Sequence, residues 1–507
     1  MSKSIRPAAI LAAFIGALLL SVFLRFPWDK DKVYYSQDAS YHVLLTACAY
    51  GETPASVHKY LPLITLGTLQ DKYIPWEDTL CDSEGNYYYT SFSAAGFFLP
   101  YLFFRAFRLS VTMENLYLFN SFLYLLCTFF TWYLFRLLFS RDRDAWLTGL
   151  FAALIYAFQT ETLHSQGIVY WHHSLFQLLF LLQLLCFIKG KTLPFLFFCL
   201  LNPYTEWTGY VANGGFALIY LLRKDGKRFL STCIATVGAL ALFILHYASV
   251  LPFNEVISAL YKRFFARGIT SAVSWTAFIK GYFCSYGFFL AILFFLLIFT
   301  LVNIRRRQTF LSSLKERWEI FFLLLFPLLE NLLMQQHVVF YSYDRLKCTL
   351  PMIYLFLLCL KAIPADSKYG GKILKTGIAA VILMACCNMT YYLKADSFYS
   401  HTADYLEDNI LLAEYIKEHY PAKDRLTGQN NATRGYSNLL FHGGIYEYQD
   451  ALSGLELLNN ERYYVYLNSA DLPFNIYRYD YALVYDTFEN TVTRIHVQNG
   501  TVYAKKQ

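Results

Sequence analysis

Long apolar runs broken by short basic turns set the rhythm of this chain. From "PAAILAAFIGALLLSVFL" onward, stretches near the ~20 residues that cross a hydrocarbon core of about 30 Å recur along the sequence. Between them lie cation clusters: Arg136, Arg141 and Arg143; Lys189 and Lys191; Arg223, Lys224, Lys227 and Arg228; Arg305 to Arg307 with Lys315 and Arg317; Lys361, Lys368, Lys372 and Lys375. Basic residues gather on the cytoplasmic side of membrane helices. With each cluster placed there, residues 145–188 and 192–222 read as hairpins, 229–303 as two helices around a wide outer loop, and 320–360 as another pair. A last span at 373–392 then carries the C-terminus outside. The pattern predicts a polytopic α-helical membrane protein of about eleven transmembrane helices, with the N-terminus cytoplasmic. The first run has the flanking charge of a signal peptide, but it is too long for one and no clear cleavage site follows; it reads as a retained helix with Lys3 and Arg6 inside.

Three regions break the rhythm. The first outer loop, about residues 26–110, holds "ASYHVLLTACAYG" and "FSAAGFFLPYLFFRAFRL", apolar on one side, as suits helices lying in the interface. "LPFNEVISALYKRFFARGITSAVSW" places Lys262, Arg263 and Arg267 on an amphipathic helix that reads as contacting lipid headgroups, with phosphate binding the competing reading. In the tail the composition shifts: "TADYLEDNILLAEYIKEHY" predicts a helix ended by Pro421, and "RYYVYLNS", "DYALVYDTF", "VTRIHVQ" and "GTVYAKK" predict strands. The expected organisation is a membrane domain over residues 1–392 and a small extracytoplasmic α/β domain over 393–507. Within 192–222 the residues are too few for two full spans. "NPYTEW" should break helix at Asn202 and Pro203 and set Glu206 on a cavity, since irregular backbone at membrane depth must line protein or water.

Composition sharpens this. Of 507 residues 56% are hydrophobic and only 16% charged, with a mean hydropathy of +0.34, so a soluble fold is excluded and the net charge of +7 reads as membrane orientation rather than nucleic-acid binding. No Walker-type phosphate loop is present, which argues against ATP-driven chemistry. The cysteines sit mostly in apolar runs without C-x-x-C spacing; Cys48 and Cys81 share the first loop, and their pairing stays open. Sequons occur at Asn388, Asn431 and Asn499.

The candidate chemistry starts at "YYSQDASYH". Asp38 and His42, four residues apart, share one helical face near the membrane surface, where a carboxylate loses hydration and gains proton affinity. That suits a general base; a helix N-cap is the competing reading of Asp38. "NLLMQQHVVFYSYDRLKCTL" offers His337, Arg345 and Lys347 as phosphate-binding cations at an outer turn, or as headgroup anchors with Asp344 pairing locally, and Tyr343 as a lining residue. "QTETLHSQGIVYWHHSLF" holds Glu161, His164, His172 and His173. Satisfied polar residues at the interface are one reading of all four; in the other, Glu161 and His164 are candidate ligands should a divalent metal take part, and His172 and His173 candidate contacts to donor or acceptor.

The first helix followed by a long outer loop that opens with an acid and an aromatic ("QDASYH") resembles the GT-C superfamily, which includes protein O-mannosyltransferases and lipid A aminoarabinose transferases. "GNYYYTSFSAAGFFLPYLFFRAF" occupies the place of that family's second interfacial helix, and a soluble domain after the last span is common there. The resemblance implies an integral-membrane glycosyltransferase, in a bacterial inner or plasma membrane. It would move a sugar from a polyprenyl-phosphate donor to a glycan, lipid or protein acceptor at the outer face, with inversion and with Asp38 as base. The sequence departs from the family in having one acid where many relatives have two, and "YYYTS" where some carry a Lys. No cofactor is implied with certainty and no nucleic acid. The rival readings are a lipid-linked glycan polymerase or ligase, a transporter or flippase of lipid-linked sugars, and a membrane scaffold.

Overall fold

The computed structural model describes residues 7–26, 32–65, 79–142, 144–268, 273–363, 370–394, 400–402, 406–421, 424–429, 462–472 and 476–507. Arg143, Lys368 and Asn431 lie outside them, as do the side chains of Arg267, Lys372 and Lys375. The chain divides into two compact units: Met1–Phe26 with Tyr117–Leu242 and Phe264–Ser397, and Pro27–Leu116 with Phe243–Arg263 and Phe398–Gln507.

The first unit is helical. Met113–Leu138, Gly226–Ala248 and Trp275–Val302 are each long and apolar enough to cross a membrane, and the bent pair Thr160–Ile168 with His172–Ile188 raises the number to as many as four. Leu230, Ile234 and Val237 stand exposed on the Gly226–Ala248 helix, an apolar outside that only lipid makes tolerable. The chain is an integral membrane protein. The expected count of about eleven full spans is not matched helix for helix, because several predicted spans are built from short pieces.

Three predicted hairpins are rebuilt in this way. The 145–188 segment contains Ala145–Ala157, then a turn at Thr160–Leu163, a π-helical turn at His164–Ile168, and His172–Ile188 after a bend of 112°. The polar stretch expected as an outer loop is therefore helical and buried. The 320–360 segment is likewise broken, into Trp318–Leu325, Leu329–Leu333, Gln335–Phe340, a 3-10 turn over Ser342–Cys348, and Thr349–Lys361. In 192–222 the helices Thr192–Thr205 and Thr208–Leu222 are each short of a full span, as expected. Asn202 and Pro203 do not break the helix, however. It runs through both to Thr205, and the chain turns at Glu206 and Trp207.

The second unit gathers the first loop and the tail. Asp38–Glu52 and Ala95–Phe107 are the two helices expected in the loop, and Lys32–Tyr34 pairs antiparallel with Ser400–Thr402. The tail forms one five-stranded sheet. Arg425–Gln429 runs parallel to Tyr463–Leu472, followed by an antiparallel meander through Ile476–Asp486, Thr491–Gln498 and Thr501–Lys506. Leu412, Ala413 and Ile416 of the Leu406–His419 helix pack on Val465, Leu467, Ala482, Val484 and Ile495. These are the alternating inward positions of the strands. Cys48 and Cys81 are free thiols. The Asn388 side chain is buried and donates to the Phe158 carbonyl at 2.8 Å, which leaves it unavailable for glycosylation.

Close backbone approach fixes the turn at Glu206. A Cβ on Gly209 would lie 2.4 Å from the Asn202 carbonyl carbon and from the Pro203 nitrogen. Gly209→Ala is therefore expected to destabilise the protein by about 1–3 kcal/mol. Gly238→Ala, inside a helix with open space around that position, should stabilise it by up to about 1 kcal/mol. Thermal unfolding in detergent compares the two.

Candidate functional site

In the second unit, Asp38 occupies the first turn of its helix and Gln37 the cap, so the N-cap reading of Asp38 does not hold. The half-buried carboxylate is instead pushed up to about 6 by burial, against the pull of the backbone N–H groups of Ala39 and of Asp38 itself. One turn on, burial pushes His42 down to about 3. The pair is thus an acid with high proton affinity beside a neutral imidazole, not an ion pair. The His42 ring lies 4.7 Å from that of Tyr89. Tyr89 begins a segment held by the Tyr247 hydroxyl, which donates to the carbonyls of Tyr89 at 2.7 Å and Phe92 at 2.6 Å. Arg263 Nε donates to Ser91 Oγ at 3.0 Å. The "YYYTS" stretch therefore has a guanidinium against it, one that the amphipathic pattern alone had assigned to lipid headgroups.

In the first unit, the 3-10 turn at 342–348 decides what faces what. Residues three apart eclipse in such a turn, so Asp344 and Lys347 share a side and Arg345 points elsewhere. Asp344 is buried between two imidazoles: His173 Nε2 contacts one carboxylate oxygen and His337 Nδ1 the other. Glu206 joins from the turn between the two short helices. One of its oxygens lies 3.7 Å from His173 Nε2, and the other accepts from the Thr208 N–H at 2.9 Å. Lys347 is paired with Glu330 and donates to Thr208 Oγ1 at 3.0 Å, and that hydroxyl donates to Glu330 at 3.0 Å. Tyr343 closes the group, its ring 5.0 Å from His173 and 5.4 Å from Tyr341. His173 Nδ1 has no hydrogen-bond partner among the described residues.

The structure thus brings together His173, Glu206, His337, Tyr343 and Lys347 of the residues expected from sequence. The headgroup-anchor reading of this turn is overturned, because Arg345 is 0% and Lys347 5% exposed. Arg345 turns away from the group. Its Nε donates to Ser285 Oγ at 2.7 Å and its Nη1 to the Val338 carbonyl at 2.5 Å, while Ser285 donates to Glu161 at 2.7 Å. His172 Nδ1 lies 3.2 Å from the Thr205 carbonyl. Of the expected metal candidates, Glu161 accepts from Ser165 and Ser285, and His164 Nδ1 faces Ser342 Oγ at 3.1 Å. Among the described residues no three His, Cys, Asp or Glu side chains are grouped to hold a metal ion. Glu330 and Thr208 as partners of Lys347 were missed. The eclipsed spacing of Asp344 and Lys347 was the one sequence signal for a shared face.

Solved structures supply a comparison for this architecture. The apo crystal structure of the Archaeoglobus fulgidus oligosaccharyltransferase matches with a TM-score of 0.54 and 11% identity, over 91% of this chain and 70% of that one. The fold is GT-C-like. The archaeal oligosaccharyltransferase AglB from the same organism, in complex with an inhibitory peptide and a dolichol-phosphate, matches at 0.52 and 11% identity, over 92% and 74% of the two chains. A complex with Zn and sulfate matches at 0.51 and 12%, over 90% and 67%. No family model matches the sequence, and no curated protein does. At 11–12% identity the likeness is one of fold alone.

The buried pairs in this fold have a measurable signature. Lys347→Met leaves the buried Glu330 carboxylate without its cation and is expected to cost about 3–5 kcal/mol. Adding Glu330→Gln should return most of that loss. Thermal unfolding of the solubilised single and double variants reads the coupling.

Proposed function

We propose that the protein is a GT-C-type glycosyltransferase that moves a sugar from a polyprenyl-phosphate donor to a glycan, lipid or protein acceptor at the outer face of a bacterial plasma membrane. The observation that carries this reading is the GT-C-like fold over nine-tenths of the chain. A neighbour with that fold binds dolichol-phosphate and an inhibitory peptide, which supports a lipid-linked donor and a separate acceptor here.

In this reading Asp38 is the base. Its carboxylate takes the proton as the acceptor oxygen or nitrogen attacks the anomeric carbon, and the bond to the donor phosphate breaks, its electron pair leaving with the prenyl phosphate. Attack opposite the leaving group inverts the centre. A half-buried carboxylate with raised proton affinity suits that task, since base efficiency peaks when the pKa nears the working pH. The neutral imidazole of His42 positions the acceptor.

The growing charge on the departing phosphate is assigned to Lys347, His337 and His173, which it would draw from Glu330 and Asp344. Arg345 fixes the turn that bears Lys347. Glu206 and Tyr343 line the donor path, with His172 behind them.

The test is turnover of a panel of prenyl-phosphate sugars by purified full-length protein, read as sugar transfer and release of lipid phosphate. Asp38→Asn should lose about 10²–10⁴-fold in rate while inserting normally. Wild-type turnover by that variant overturns the role of Asp38, and a wild-type protein that consumes no donor overturns the function. The pH dependence follows with its sign. The base acts only when ionised, so kcat/KM should climb as pH rises through about 6 and level off above it.

A further inference from the structure

Arg25 follows the first helix, Pro7–Leu24, and is 0% exposed. Among the described residues no carboxylate partners it. Its fork is filled by main-chain carbonyls: Nε donates to Gln166 O at 3.1 Å, Nη1 to Ser21 O at 2.8 Å, and Nη2 to Ala157 O at 3.0 Å. The guanidinium also lies 3.5 Å over the Tyr124 ring, whose hydroxyl donates to Ser21 Oγ at 3.0 Å.

Two of these carbonyls bracket one segment. Ala157 ends the helix before the break and Gln166 sits within the π-helical turn, at non-helical φ −121° and ψ 35°. Helix ends and π turns leave carbonyls without an intrahelical partner, and lipid supplies none. A guanidinium satisfies both at once. Asn120 ties the next turn, donating to Gly167 O at 2.8 Å and Val169 O at 3.0 Å, and Ser174 Oγ closes on Ser165 O. Gly167 makes room, for a Cβ there would meet Arg25 Cγ at 2.8 Å. From this stitched break the chain turns by 112° into the helix that presents His173 to Asp344 and Glu206.

We infer that Arg25 is a positioning residue: by clamping the two sides of the 158–168 break it sets where His173 meets Asp344, without touching the donor or acceptor. The inference rests on the transferase reading for its kinetic consequence, and on geometry alone for its structural one. Both are read in full-length protein. Loss of the clamp misplaces a group near the chemistry, an effect that reaches about 10²-fold. Arg25→Met should therefore lower kcat by at least about 10-fold with KM changed less than about 3-fold. Arg25→Lys, whose ammonium cannot span three carbonyls, should fall between the two. Hydrogen exchange of amides 164–170 should accelerate in Arg25→Met and less in Arg25→Lys, with the Trp275–Val302 helix unchanged. Should Arg25→Met fail to accumulate, Arg25→Lys carries both measurements. Wild-type kcat together with wild-type exchange at 164–170 overturns the inference. If the wild type consumes no donor, the transferase reading fails instead, and exchange alone decides the clamp.

Discussion

A charge or a loose carbonyl buried at membrane depth in the helical unit has to find its partner inside the protein, because the surrounding lipid offers none. That constraint shapes the unit more than hydrophobicity does, since apolar side chains gain little by leaving lipid for one another. Asp344 is matched by two imidazoles, Lys347 by Glu330 and Thr208, and Arg345 by Ser285 and a carbonyl. Each match includes one partner far away in sequence, His173, Thr208 or Ser285. Polar contacts therefore dictate how the short helical pieces meet, and broken helices become affordable.

This explains which parts of the fold were legible in the sequence. The tail strands follow from a period-two alternation of apolar and polar residues, and the Leu406–His419 helix from a 3.6 pattern stopped by Pro421. Both signals are local. The strand Arg425–Gln429 was missed because its pairing is parallel and reaches across to Tyr463, with nothing in its own five residues to announce it. The polar stretch 158–171 was read as an outer loop because its composition is that of a loop. Its helical, buried form depends on Arg25 and Asn120, which lie 141 residues before Gln166 and 47 before Gly167. No local pattern encodes such partners.

The candidate site was partly visible for the same reason. Histidines, acids and a lysine in apolar surroundings announce themselves, so His173, Glu206, His337 and Lys347 could be named. Their pairing could not, since it depends on how three turns converge. Arg345 shows the limit. Its residue type and neighbours made it look like a phosphate ligand, and only the 3-10 geometry of its turn points it at Ser285 instead of at the group that holds Lys347.

Two acids, the half-buried Asp38 and the buried Asp344, then divide by environment rather than by type. Asp344 lies between two imidazoles, and a carboxylate so compensated gives up favourable interactions when it accepts a proton. For Asp38 burial is opposed only by two backbone N–H groups, those of Ala39 and of Asp38 itself. Desolvation there acts in one direction, raising the carboxylate's hold on a proton toward the working range of a base. A protein that needed only a helix start would have gained more from a side chain at position 37 that caps the helix, which Gln37 does not. The acid is left where its charge is costly and its proton affinity high, set by its surroundings and not by its residue type.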